Sequence, residues 1–124
     1  MSVGAVNTAK SVRTRTVNAS GEVKDQEEVL YTCPNNCRSH MTLLYVTNVG
    51  GATTDVSIDW YRADSSVVHI LGAKNISSSE YIQWSGAYIV FEPGDEMRFT
   101  PTGNNNPDVS VLATVEEFFI PVGG

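Results

Sequence analysis

The sequence predicts an all-β protein, an antiparallel β-sandwich of jelly-roll-like design with an extended N-terminal arm. Three observations carry that expectation. Asp55-Val56-Ser57-Ile58-Asp59-Trp60 alternates polar and apolar residues, which at a side-chain period of two sets Val56, Ile58 and Trp60 on one face of a sheet and leaves the other wet. The alternation recurs at Glu96-Met97-Arg98-Phe99 and along Asp108-Val109-Ser110-Val111-Leu112-Ala113-Thr114-Val115, so several strands each offer one apolar face to a partner sheet. No segment combines a helical period with helix caps.

Taken in order, residues 1–26 are small, hydroxyl-rich and short of large apolar groups. Ser11 to Val17 alternates, but its apolar face is thin, so this segment reads as an arm or edge strand that draws burial from a neighbouring subunit. Residues 27–119 form the β-sandwich domain. Val29 to Thr32 is its first strand, Pro34-Asn35-Asn36 a turn, and Ser39 to Asn48 a strand containing Leu43, Leu44, Tyr45 and Val46. Gly50-Gly51 leads into the strand of Trp60. Arg62 to Ser66 turns the chain into Val67 to Leu71, followed by short elements at Asn75-Ile76, Tyr81 to Trp84 and Ala87 to Phe91. Glu92-Pro93-Gly94-Asp95 is a turn before the strand Met97 to Thr100, and Thr102 to Pro107 is a loop. The last strand ends in Glu116-Glu117-Phe118-Phe119, and residues 120–124 make a short tail.

A length of 124 residues with 41% hydrophobic side chains suits one domain with its own core and is too short for two. The net charge of −6 argues against a duplex nucleic acid as partner, because phosphate neutralisation needs clustered Lys and Arg. One basic cluster exists, Lys10, Arg13 and Arg15, which is either a solvated edge strand or a basic arm that docks on an acidic partner surface. No stretch approaches the roughly 18 apolar residues that span a bilayer, so no membrane partner is expected. Met1-Ser2-Val3-Gly4 lacks the charged and apolar regions of a secretory signal, and synthesis in a host cytoplasm, with its reducing environment, is the expectation.

Cys33-Pro34-Asn35-Asn36-Cys37, with His40 three residues on, is the one constellation that resembles a metal knuckle. A structural zinc site needs four ligands, usually from two such knuckles, and a second is missing; His69, alone in an apolar strand, reads as a hydrogen-bonded structural histidine. No metal is expected. If residues 34–36 form a hairpin loop, Cys33 and Cys37 face each other at about 5 Å between Cα atoms, so a disulfide is geometrically permitted, with two free thiols as the reduced alternative. Asp55 and Asp59 share a strand face about 13 Å apart, beyond the roughly 5 to 9.5 Å of a glycosidase pair. Neither a Gly-rich phosphate loop nor a nucleophile elbow is present, and the reading is a non-enzyme with no catalytic residue and no cofactor. Phe118 and Phe119 are adjacent and cannot both face one core. With Ile120 and Val122 they join Lys10, Arg13 and Arg15 as the candidate partner-binding residues.

Several motifs in sequence bear a resemblance. Val29-Leu30-Tyr31-Thr32-Cys33-Pro34, Leu43-Leu44-Tyr45-Val46-Thr47-Asn48, Val56-Ser57-Ile58-Asp59-Trp60-Tyr61, Phe91-Glu92-Pro93-Gly94-Asp95-Glu96-Met97-Arg98-Phe99 and the closing strand Val109 to Glu117, in that order, together resemble small β-sandwich virion proteins of tailed bacteriophages. The likeness covers residues 28–118 and departs at Asn35-Asn36-Cys37-Arg38, where small residues are usual. It implies a structural role: a capsid decoration or cement protein that stabilises the head shell, bound to the major capsid protein or other virion proteins, and a homo-oligomer with a trimer favoured. The alternative within the virion is a neck or tail adaptor or fibre-attachment protein. From another class comes a carbohydrate-binding module with Trp60, Tyr61, Trp84 and Tyr88 as an aromatic platform, against which the alternation sets Trp60 in the buried row.

Overall fold

Eight strands, joined without a helix, account for the architecture of the computed structural model, which describes residues 12–120 apart from the side chains of residues 86–88. They are β1 (Val12–Gly21), β2 (Glu28–Thr32), β3 (Cys37–Asn48), β4 (Thr54–Tyr61), β5 (Val67–Ile76), β6 (Tyr81–Phe91), β7 (Glu96–Thr102) and β8 (Val109–Phe119). β4 pairs with β5, β3 with β6, β2 with β7 and β1 with β8, all antiparallel. The chain is thus one long hairpin, folded at Arg62 to Ser66 and rolled up so that β3 also meets β8 and β4 also meets β7. Rolling yields two four-stranded sheets, β1-β8-β3-β6 and β2-β7-β4-β5, which is the jelly roll.

Alternation decides what fills the space between them. In β8, Val109, Val111, Ala113 and Val115 are buried while Ser110 is exposed; in β4, Val56 and Ile58 are buried between half-exposed Asp55, Ser57 and Asp59. Phe91, Phe99, Met97, Ile76 and Val46 complete the core. Trp60 is only half-buried: it packs edge-on to Phe91, and its indole N–H donates to Asp95 at the sandwich rim.

Rolling overturns one local expectation. β2 and β3 lie in different sheets, so Cys33 to Asn36 is a crossover and not a hairpin loop. Its two thiols are buried and free: Cys33 Sγ donates to the Cys37 carbonyl and Cys37 Sγ to Asn36 Oδ1. The hairpin on which a permitted bridge rested is not formed, since the two residues are not cross-strand neighbours within one sheet. β5 and β6 also run longer than the sequence reading, absorbing Asn75-Ile76 and uniting the two short elements before Phe91. His69 stands exposed, with Nδ1 2.6 Å from Asp59 Oδ1, instead of inside an apolar strand.

Polar side chains hold the connections. Asp95 is buried and accepts from the backbone N–H groups of Glu92 and Ala63 as well as from Trp60, while Gly94 takes the left-handed φ of +87° that the turn requires. Asn48, also buried, donates to the carbonyls of Ala52 and Ile76 and accepts from Gly50 N–H, tying the β3–β4 crossover to the end of β5.

Candidate functional site

At the β1 edge the sequence's basic cluster meets an acid that its position hides. Arg13 and Arg15 fall on the row of β1 that looks toward the core, opposite Glu117 and Val115 of β8. Glu117 continues the inward row of β8 and is fully buried, a carboxylate where the alternation calls for a valine. Arg13 reaches Glu117 Oε1 through Nε at 2.9 Å and through Nη2, Arg15 reaches Oε2 at 3.1 Å, and the Tyr31 hydroxyl crosses from the other sheet to donate to Oε2 at 2.7 Å. Burial pushes the Glu117 carboxyl up, but the hydrogen bonds from Tyr31 and Arg13 and the two positive charges outweigh it and hold the group below the usual carboxylate range. Burial, and then the bond to Glu117, push the Tyr31 hydroxyl well above the ordinary phenol. Burial likewise raises both neighbouring thiols. The two guanidinium side chains stay about half exposed, at 50% and 40%, so the three-residue cluster carries one net positive charge, with Glu116 on the opposite face of β8. Inward charges of this kind also blunt an edge strand against unwanted pairing.

The remaining candidate partner residues sit around that cluster. Phe119 packs against the core with the Arg13 guanidinium over its ring, whereas Phe118 faces outward against His40, at 4.7 Å between ring centroids. Ile120 is exposed, and its N–H donates to the Asn36 carbonyl. Lys10 and Val122 lie outside the described residues. The aromatic platform does not assemble: Trp60 and Trp84 pack toward the core from different sheets, and Tyr61 is covered by the Arg98 guanidinium at 4.0 Å and bonded to Glu27. The Tyr88 side chain is outside the described residues. Among those described, no three His, Cys, Asp or Glu side chains converge as metal ligands.

The outer faces of the two sheets differ in kind. On the β2-β7-β4-β5 sheet, Arg98 bridges Glu27 and Glu96, and His69 pairs with Asp59. On the other sheet, register aligns rows across all four strands: Ser20–Ser110–Thr47–Tyr81, then Asn18–Leu112–Tyr45–Gln83. A further row, Thr16–Thr114–Leu43–Ser85, continues the neutral stretch, and charge returns only with Glu116. A hollow of about 420 Å³ lies over the β1, β8 and β3 members of the first two rows, and Tyr81 stacks on its lining residue Tyr45 at 5.2 Å and 20°. Sequence reasoning missed this surface, because the two tyrosines are 36 positions apart and only the β3–β6 register joins them.

The sandwich closes on its β1–β2 side and stays open between β5 and β6, the terminal strands of their sheets. Met41, Leu43, Leu44, Ile70, Leu71, Trp84 and Ile89 line an apolar slot of about 260 Å³ there, next to the β3 bulge between Met41 and Leu43.

No family model and no curated protein matches the chain. Among solved structures it is similar to a chain of the capsid of Helicobacter pylori bacteriophage KHP30, with a TM-score of 0.57 at 12% identity over 87% of this chain and 89% of that one. It is also similar to a subunit of the Bacillus endospore appendages, a family of disulfide-linked pili, with a TM-score of 0.54 at 9% identity over 90% of each chain. At such identities the likeness is one of fold.

Proposed function

We propose that this chain is a non-enzymatic structural protein of a bacteriophage virion, a decoration or cement protein that binds the assembled head shell. The observation that supports the reading is the reciprocal likeness of fold to the KHP30 capsid chain, which extends over nearly nine-tenths of each chain. The edge-strand surface supports the same reading. Arg13 and Arg15 neutralise Glu117 and keep a net positive charge half-exposed, flanked by Phe118 and Ile120 and, in sequence, by Lys10 and Val122. A mixed basic and apolar rim of this kind suits an acidic protein surface. Docking there, as a homotrimer, favours the assembled shell by mass action, since a ligand that binds one state stabilises it. The chain is made in the host cytoplasm and works in the virion.

Copy number tests the proposal. Quantitative mass spectrometry of purified particles is expected to give between about one copy per major shell protein and one per three. A ratio near one to thirty would move the chain to the neck or tail, and absence from particles would overturn the virion reading.

A further inference from the structure

We propose that the outer face of the β1-β8-β3-β6 sheet is a binding site for a neutral saccharide, with the hollow over Asn18, Ser20, Tyr45, Thr47 and Ser110 as its seat and Tyr81, stacked on the lining Tyr45, beside it. The proposal does not depend on a virion role.

Three observations converge on that ligand class. The first is charge. The other sheet carries its ions in paired lattices, yet the rows that form this hollow hold only hydroxyl, amide, phenol and leucine side chains. A ligand seated here surrenders no ionic hydration to an uncompensated charge, which favours a neutral partner over a phosphate or a carboxylate. The second is aromatic shape. Tyr81 is 60% exposed and stacked on Tyr45, so an apolar plane with a polar tip stands at the rim of a field of hydroxyls and amides. Sugar rings need that pairing, an apolar C–H face to lie on an aromatic ring and hydroxyls to exchange hydrogen bonds with short polar side chains. The third is an unmet valence. Thr47 lines the hollow, and its Oγ1 is the buried side-chain oxygen without a partner among the described residues. Tyr81 is its cross-strand neighbour, so the exposed ring stands next to the unpaired oxygen in the same row. At about 420 Å³ the hollow matches small-molecule sites in size.

A second copy packed face to face is the competing occupant, and the test separates them. The isotope-labelled full chain is titrated with maltose, lactose, mannobiose and chitobiose, and separately with sialyllactose, while backbone amide shifts are followed. The expected result is saturable movement of the Ser20, Tyr45, Thr47, Tyr81 and Ser110 amides with at least one neutral disaccharide. Tyr81→Ala is expected to weaken that binding about tenfold, as loss of an aromatic contact does, with an unchanged unfolding midpoint because the ring is exposed. No shift with any neutral sugar at 50 mM, roughly the weakest binding worth the name, overturns the proposal. So does a response to sialyllactose alone, or binding that survives Tyr81→Ala. Shifts of the same amides on raising protein concentration without sugar assign the face to self-association and overturn it as well.

Discussion

Glu117 shows how one residue can act against its sequence pattern. Its place in the inward row predicts an aliphatic side chain, and the acid is tolerated because Tyr31, Arg13 and Arg15 supply its hydrogen bonds. Such a cluster does more for register than for net stability: slipping β1 by one residue would turn both arginines away from the acid. Glu117→Gln should cost about 2 kcal/mol in urea unfolding at pH 7, because the amide cannot satisfy all three donors. The acid's folded pKa lies below its unfolded one. Its contribution is therefore present above about pH 4.3 and fades as pH falls through the folded value. The gap between wild type and Glu117→Gln should narrow between pH 6 and pH 3; a constant gap would remove the electrostatic account. Thr47→Val should be neutral or stabilising by up to about 1 kcal/mol, since its hydroxyl is buried without a partner among the described residues. Both thiols, buried and held protonated, should react with a thiol reagent only after unfolding.

Among the elements, two connections bear on whether the strands meet in register. Gly21 ends β1 where a Cβ would stand 2.8 Å from Phe99 Cε2 and 3.1 Å from Pro101 Cγ, so the close approach of the two sheets at this corner requires glycine. Gly21→Ala should lose about 1 to 3 kcal/mol, read as a lowered urea midpoint with an unchanged m-value. The Glu92-Pro93-Gly94-Asp95 turn is legible in sequence as a turn. Its second function is not: Asp95 also binds Ala63 N–H and the Trp60 indole, which joins the β6–β7 and β4–β5 connections at one rim. Asp95→Ala strands three donors and should cost about 3 kcal/mol, a loss that Asp95→Asn, keeping one acceptor oxygen, should halve.

For the molecule as a whole, the β1 contacts redraw the N-terminal truncation. Residues 12–21 pair with β8 along their whole length, and Arg13 and Arg15 neutralise Glu117. Removing residues 1–11 leaves every described contact in place and should preserve cooperative unfolding with a midpoint within about 0.2 M urea of the full chain. Removing residues 1–17 strips six of the ten residues of an edge strand and leaves a buried carboxylate without its cations, and should lower stability by at least about 3 kcal/mol. Only the shorter truncation can test incorporation into particles. If particles take up the 1–11 deletion as well as the full chain, the contact surface begins at β1 and Lys10 has no part in it.

Alternation alone determines the all-β class, the position of most strands and much of the buried set, because side-chain period is a local property that survives without knowledge of neighbours. Val56, Ile58, Phe99, Val109 and Val111 are core residues for the same reason that they alternate. Which strands become neighbours is another matter. The short Cys33 to Asn36 link reads as a hairpin and proves a crossover, since a local turn looks the same whether the next strand joins its own sheet or the facing one. The burial of Glu117, its pairing with arginines about a hundred residues away, and the union of Tyr45 with Tyr81 in one neutral face exist only once the long hairpin has rolled up. Sequence spacing determines which face of a strand a side chain occupies; only the tertiary register decides what stands opposite it, and that register carries both the edge-strand cluster and the neutral sheet face.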